Sequence, residues 1–544
     1  MCQSVSSGRL FNSFENASVM INDPFRELAQ ILCGATAKLP IAQPASARSW
    51  VEGHMSIETE IKLTLDPGIC ARVAELDPIV QYAQAPPEVH LLTSMYYDTK
   101  GFALLAKRFA LRIRKDGDHI VQTVKGRREA ADLLHARVEY EWELAAATLD
   151  LSLLPKEAPF TWLQELGEGV LHEVFRTVFQ RTAWLLEPEP GILIECALDI
   201  GHVTAGGQQT PFCEVELELK AGEPRHVLAL AKTFSEALPL RIEQISKAQR
   251  GYALVTSRPL PRPVRASRLA LPQEATAGEA FQRILDATFH QVVSNEQPVR
   301  LNDDPEGVHQ MRVGVRRFRA ALQAFSSFVS EADRKMLKKQ LKPFLTQLGA
   351  VRDWDVLAEY AQSTSPKLLA SLRKEQSLHR AQLRAAMDQP AYTRMLLAMA
   401  CWIADLKVDQ AASETDETWA VPILQKGHEE ILNRGRKLKK LTLPELHRLR
   451  LACKQQRYQL EFFEALLFPD SFQPYLRMLQ DLQSVLGGLN DTESILARHA
   501  AAIKKLKGRG GRKILFKKAQ KRRVRLMKKL SVVWAAFKQQ ERAW

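Results

Sequence analysis

The chain has 544 residues, 46% of them hydrophobic, and its 76 Lys and Arg outnumber 62 Asp and Glu for a formal net charge of +14. This length is too great for one hydrophobic core and implies two or three domains, while the charge favours anionic partners such as polyphosphate, nucleic acid or acidic lipid surfaces. Seven scattered cysteines without a Cys-x-x-Cys pair argue against a disulfide framework or zinc site and suit a reducing cytoplasm, and no apolar run is long enough to span a bilayer.

Residues 1–54 lack the charged start and apolar core of a signal peptide. They are expected to be a leader, either disordered or the product of a start codon set too far upstream. Strict alternation then begins at Ile57-Glu58-Thr59-Glu60-Ile61-Lys62-Leu63-Thr64-Leu65, the pattern of a strand whose successive side chains point to opposite faces. Ile57, Ile61, Leu63 and Leu65 pack; Glu58, Glu60 and Lys62 share the other face. Such a face, alone, is ordinarily solvated. Here it recurs: Leu111-Arg112-Ile113-Arg114, Val121 to Lys125, Val138-Glu139-Tyr140-Glu141-Trp142-Glu143, Ile194 to Ile200 with Glu195 and Asp199, and Glu214-Val215-Glu216-Leu217-Glu218-Leu219-Lys220. Crowded carboxylates repel unless cations sit among them. Mg²⁺ is typically held by one or two carboxylates plus substrate phosphates, and Arg and Lys hold phosphate oxygens directly. The pattern implies a metal-dependent phosphate site inside a β-barrel.

These segments, together with Thr123-Val124-Lys125 and Ser246-Lys247-Ala248-Gln249-Arg250-Gly251-Tyr252, resemble the CYTH domain, or triphosphate tunnel metalloenzyme, over 55–257. The resemblance implies an α+β domain built on an antiparallel eight-stranded β tunnel barrel that binds triphosphates with Mg²⁺ or Mn²⁺. It implies metal ligation by Glu58, Glu60, Glu214 and Glu216. Phosphate binding falls to Lys62, Arg112, Arg114, Lys125, Arg181, Lys220 and Lys247, with Lys62, Arg112, Arg114 and Lys125 as the catalytic set. Glu139, Glu141, Asp199 and Glu218 would lie in the tunnel in roles left open.

Pro259, Pro261, Pro263 and Pro272 mark a semi-rigid linker over 258–274. Beyond it the hydrophobic period changes from two to 3.6, the helical value. This helical half, 275–544, aligns with itself at an offset of 138 residues: His309, Arg312, Arg316 and Arg319 match His447, Arg450, Lys454 and Arg457, and Leu348-Gly349-Ala350-Val351-Arg352-Asp353 matches Leu486-Gly487-Gly488-Leu489-Asn490-Asp491. Two copies of one unit follow, about 275–412 and 413–544. The spacing places one imidazole and three cations on one helical stripe in each copy. One basic stripe is ordinarily solvated surface, but the duplicated register favours a polyanion groove. His309 and His447 stay open between structural and binding roles. Asp353 and Asp491 fit helix capping or arginine orientation better than acid catalysis.

His309-Gln310-Met311-Arg312-Val313 with Arg316-Arg317, and the second copy, resemble the CHAD domain, an all-α helical bundle. The resemblance implies polyphosphate binding by His309, Arg312, Arg316, Arg319, His447, Arg450, Lys454 and Arg457. Lys454 in place of Arg and Asn490 in place of Arg352 weaken the second copy's grip. The tail from Lys504 to Lys529 contains no Asp or Glu; a helix lining the same groove fits it better than a nucleic-acid motif. The expected function is metal-dependent inorganic triphosphatase, splitting tripolyphosphate into pyrophosphate and phosphate, in a cytoplasmic protein that also associates with polyphosphate granules. The rivals are a class IV-type adenylate cyclase, a thiamine triphosphatase and a non-catalytic polyphosphate binder.

Overall fold

The structure is a computed structural model that describes residues 54–127, 134–155, 160–256, 262–272, 275–406, 419–467 and 469–544. The expected leader lies outside the described residues apart from His54. The described part of the linker, 262–272, forms neither helix nor strand.

The first half is one antiparallel sheet: β1 (His54–Thr64), β2 (Glu88–Asp98), β3 (Phe109–Asp116), β4 (His119–Arg127), β5 (His135–Glu143), β6 (His172–Glu189), β7 (Ile192–Ala205), β8 (Gln208–Ala221) and β9 (Arg241–Ile242). Its nine strands run in the order β5-β4-β3-β2-β6-β7-β8-β1-β9, with an additional β5–β1 pairing. This corrects the expected eight-stranded tunnel barrel: β9 ends the order, beside β1. The physical reason lies in the edges of β1. Residues His54 to Glu60 pair with β5, which stops at His135 opposite Glu60. On the other edge Glu60 to Thr64 pair with β8. The edge that β5 leaves still presents backbone groups that need partners, and β9 takes it over, placing Ile242 opposite Leu63 and Arg241 opposite Thr64.

Both faces of the sheet bury side chains around β1. Ile61, Leu63, Leu111, Val124, Val215 and Leu217 belong to the apolar core, and Glu60, Lys62, Arg112, Glu139, Asp199, Glu214 and Glu216 to the buried charged set. Helix α1 (Pro224–Ala237) packs on β1 and β8, burying Val227, Leu228, Ala231 and Phe234. Helix α2 (Lys247–Thr256) packs on β6 and β7. Its close approach depends on Gly251, where a Cβ would stand 2.1 Å from the Phe175 ring. Tyr252 pins the helix by donating to Asp98 Oδ2 at 2.9 Å, and this seating carries Lys247 into the charged face.

The second half is helical: α3 (Ala277–Val293), α4 (Glu296–Leu301), α5 (Pro305–Ala324), α6 (Glu331–Ala361), α7 (Pro366–Met387), α8 (Pro390–Ala404), α9 (Ala420–Gly435), α10 (Leu443–Phe462), α11 (Pro469–Glu493), α12 (Ala500–Lys505) and α13 (Arg509–Gln539). Sequence-encoded caps start several of them. Thr276 and Glu279 form a capping box on α3, Asp304 caps α5 ahead of Pro305, and Thr442 with Glu445 boxes α10, each worth about 1 kcal/mol. Helices α5 and α10 pack together; Gln455 Nε2 donates to Ala320 O at 2.9 Å between them. The halves meet where α8 packs on α1, with Arg394 Nη1 donating to Ser235 O at 3.5 Å. No helix among the described residues is long and apolar enough to cross a membrane.

Candidate functional site

Register builds the centre of the charged face. The pairing of β7 with β8 sets Asp199 opposite Glu214 and Ala197 opposite Glu216. Asp199, Glu214 and Glu216 are buried, and each offers an oxygen within 4.8 Å of the others, the one group of acidic, His or Cys ligands of this kind among the described residues. This donor set of carboxylate oxygens suits a hard divalent cation.

Cations close around it. Lys247 Nζ lies 2.8 Å from Asp199 Oδ2 and 2.9 Å from Glu216 Oε1 and also contacts Glu214. Arg181 forks onto Asp199 at 2.8 and 2.7 Å and reaches Glu216 Oε2. Lys62 bonds Glu60 at 2.6 Å and also Glu216. Arg250 donates to Glu214 at 3.2 Å and Glu243 at 2.8 Å. Beyond these, Lys125 bridges Glu58 at 3.0 Å and Glu139 at 2.8 Å, and Arg112 pairs Glu139 at 3.2 Å.

Arg114 differs. Its Nε donates to Ser94 Oγ at 3.3 Å and its guanidinium lies 5.9 Å from the centre of the Phe179 ring, but it forms no ion pair with a carboxylate among the described residues. Burial, with Arg112 and Arg181 nearby, pulls its pKa down to about 10. A buried cation repelled by its neighbours is a ready anion site.

The acids divide by surroundings. Burial opposes ionisation of Glu216, yet Lys247, Lys62 and Arg181 hold its pKa well below the usual carboxylate range. Burial likewise opposes ionisation of Asp199, and Arg181 and Lys247 outweigh it. Glu58 is lowered by Lys125 and Lys62 against its burial. Glu60 is pushed up to about 7 by burial, reinforced by Glu58 and Glu216 against the pull of Lys62.

The expected site residues therefore lie at different depths. Glu214 and Glu216 join the three-carboxylate group; Glu58 and Glu60 line its β1 side, engaged by Lys125 and Lys62. Lys62, Arg112, Arg114, Lys125, Arg181 and Lys247 share the charged face. Lys220 stands apart, paired with Glu218 at 2.7 Å and Glu195 at 3.4 Å and 37% exposed. Sequence reasoning placed Asp199 in the tunnel without a ligand role and assigned none to Arg250 or Ser94. The alternation signal reaches Asp199, but only the β7–β8 register groups it with Glu214.

In the helical half the two stripes converge. Lys454 feels Arg316, Arg450, Arg457 and Arg312, and Arg450 feels Arg316 and Arg312. None of Arg312, Arg316, Arg319, Arg450 and Lys454 makes an ion pair among the described residues, whereas Arg457 lies 3.6 Å from Glu461. Burial and the surrounding guanidiniums push Lys454 down to about 5. Burial, then Arg352, also lowers His309, and burial lowers His447, whose Nδ1 sits 3.1 Å from Asn490 Oδ1. Asp353 acts on Arg312 and Asp491 on Arg450. Helix α13 adds Arg522, 4.9 Å over the Tyr360 ring and within reach of Asp491.

This buried acid–base face on an antiparallel sheet is that of a CYTH domain, whose family profile matches residues 56–252. The CHAD domain profile matches 283–500, so the chain contains a CYTH domain followed by a CHAD domain. It is 29% identical over 211 residues to an inorganic triphosphatase of Haemophilus influenzae, a match that covers 38% of this chain and 56% of that protein; the chain thus spans little more than half of the relative's length. Among solved structures it is similar to the CHAD domain from the plant Ricinus communis, with 30% identity, 52% of this chain and 98% of that one covered, and a TM-score of 0.42. It is also similar to HpAC1 from Hippeastrum, described as having a dominant triphosphatase activity, with 23% identity, 37% and 95% covered, and a TM-score of 0.28.

Proposed function

We propose that the CYTH half is a divalent-metal-dependent inorganic triphosphatase that cleaves tripolyphosphate into pyrophosphate and phosphate, and that the CHAD half binds polyphosphate. The observation that carries the first part is the buried Asp199–Glu214–Glu216 group set in a ring of cations that includes Arg114. These carboxylates would hold Mg²⁺ or Mn²⁺, which when bound supplies Lewis-acid polarisation of phosphoryl oxygens. Lys62, Arg112, Arg114 and Lys125 would grip the triphosphate and offset its charge as the bond breaks. Arg181 and Lys247, now paired with the acids, would serve both ligand and substrate. Glu58 and Glu60 complete the acidic wall, either as further ligands or by orienting the attacking water. Lys220, at the margin, would meet only the far end of the substrate. The protein would act in the cytoplasm, including at polyphosphate granules.

Product analysis on tripolyphosphate, ATP and thiamine triphosphate with Mg²⁺ and Mn²⁺ tests the reading. Phosphate released from tripolyphosphate supports it; cyclic nucleotide with pyrophosphate from ATP, or binding without turnover, replaces it. Arg114→Ala should raise the KM for tripolyphosphate about tenfold or more, the effect of one charge-assisted contact, with less effect on inhibition by orthophosphate. Unchanged KM would remove Arg114 from the grip.

For the CHAD half the carrying observation is the convergence of two cationic stripes in which, among the described residues, only Arg457 is paired with an acid. A pH effect follows. With its pKa depressed to about 5, Lys454 is neutral at pH 7 in the free chain, and a polyanion alongside favours its charged form. Binding long-chain polyphosphate should therefore take up protons and tighten as pH falls from 8 towards 6, with His309 and His447 contributing in the same sense. Calorimetry in two buffers of different ionisation enthalpy should show this uptake, and Lys454→Met should reduce it. Equal heats in both buffers would contradict the assignment.

A further inference from the structure

The carboxylate group is tied to the helical half through a chain of contacts across β9. At the site end, Arg250 Nη2 joins Glu214 at 3.2 Å to Glu243 at 2.8 Å. The Glu243 backbone N–H donates to Lys62 O at 2.8 Å, continuing the β1–β9 pairing that places Arg241 opposite Thr64. Arg241 Nη1 then reaches Asp388 Oδ1 at 3.5 Å. Asp388 follows α7 and is itself anchored: it accepts from Arg300 Nη1 at 2.5 Å. Arg300 in turn donates to Met387 O at 2.6 Å and to the buried Glu296 at 3.0 Å. A two-residue strand has little rigidity of its own. Pairing with β1 and burial of Leu240 and Ile242 hold its inner side, and Arg241 ties its outer side to the helical half.

We propose that the helical half positions the metal-binding carboxylates: Asp388 holds β9 through Arg241, and β9 presents Glu243 to orient Arg250 against Glu214. Asp388, Arg241 and Glu243 are positioning residues, since none of them belongs to the three-carboxylate group. Outer contacts of this kind orient ligands, and their loss typically weakens metal binding about 10–100-fold. The inference rests on the metal reading of Asp199, Glu214 and Glu216, but not on any activity.

The test is Mn²⁺ binding to the full chain by calorimetry, with thermal unfolding recorded alongside. Asp388→Asn and Glu243→Gln should each weaken Mn²⁺ about tenfold. Because they lie in series, the double variant should lose no more than the larger single loss, rather than the product of the two. Arg241→Gln replaces a guanidinium that is 44% exposed and gives the same readout should Asp388→Asn fold poorly. Lys335→Gln breaks another ion pair of the helical half, to Glu331 at 2.8 Å on α6, without touching β9, and should leave Mn²⁺ affinity unchanged. Wild-type affinity in Asp388→Asn and Arg241→Gln, multiplying losses in the double variant, or an equal loss in Lys335→Gln would each overturn the inference. A wild-type chain that takes up no Mn²⁺ overturns the metal reading and this inference with it. A chain that binds Mn²⁺ but does not hydrolyse tripolyphosphate defeats only the triphosphatase assignment.

Discussion

Glu216→Gln should lower tripolyphosphate turnover by about 10²–10³-fold, the usual cost of removing a preorganised electrostatic contact from an active site. The substitution keeps the shape of the side chain and removes its charge. Glu216 is the most connected acid of the face, touching Lys62, Arg181 and Lys247. Losing one partner of a buried pair usually destabilises a protein by about 3–5 kcal/mol. Here Glu60 still neutralises Lys62, while Asp199 and Glu214 still neutralise Arg181 and Lys247, so the chain should remain folded by circular dichroism. Glu218→Gln is the matched control: its partner is the marginal Lys220, and turnover should change little. Initial rates at limiting Mg²⁺ decide the matter, and near-normal turnover of Glu216→Gln there would remove the carboxylate group from metal binding.

Neutralising Arg312, Arg316 and Arg450 together should weaken long-chain polyphosphate by about 100-fold or more, given about 1.5–3 kcal/mol for each charge-assisted contact and incomplete additivity among neighbours. The same number of changes at Lys517, Lys518 and Lys521 should cost far less. The three arginines converge without acidic ion-pair partners among the described residues, so a polyanion relieves their repulsion on binding. The three lysines stand exposed on α13, free to hydrate, and Lys518 already donates to Ser363. The salt dependence of affinity should also become shallower in the arginine variant, because fewer counterions are released. Equal losses from the two sets would show that bulk charge, not the duplicated stripe, drives binding.

The strands that carry this site were legible because alternation is local. Glu58, Glu60 and Lys62 on β1, Arg112 and Arg114 on β3, and Glu214 and Glu216 on β8 all read directly from period-two patterning. The paired stripes were legible because a gapless offset preserves helical phase, and the structure brings Arg316 and Lys454 together. What escaped depends on distant parts of the chain. Asp199 joins the carboxylate group only through its register with Glu214. The two-residue β9 has no period to detect, and it is what corrects the eight-stranded barrel to a nine-stranded sheet. Arg250 enters the face because Gly251 lets α2 dock on Phe175, a contact invisible to spacing. Lys220 follows the alternation of β8, yet lies beyond the acidic centre and pairs with Glu218 and Glu195 instead. The basic tail was legible as a helix, and most of it is the long helix α13, whose Leu515, Ala519 and Leu526 are buried among its many cations.

The most direct test of the central claim is phosphorus NMR of tripolyphosphate incubated with the full chain and Mg²⁺ or Mn²⁺. Pyrophosphate and orthophosphate signals should grow in equal molar amounts, stop on addition of a chelator, and be nearly absent with Glu216→Gln. An unchanged tripolyphosphate spectrum at every metal concentration, or equal rates with and without chelator, would contradict it.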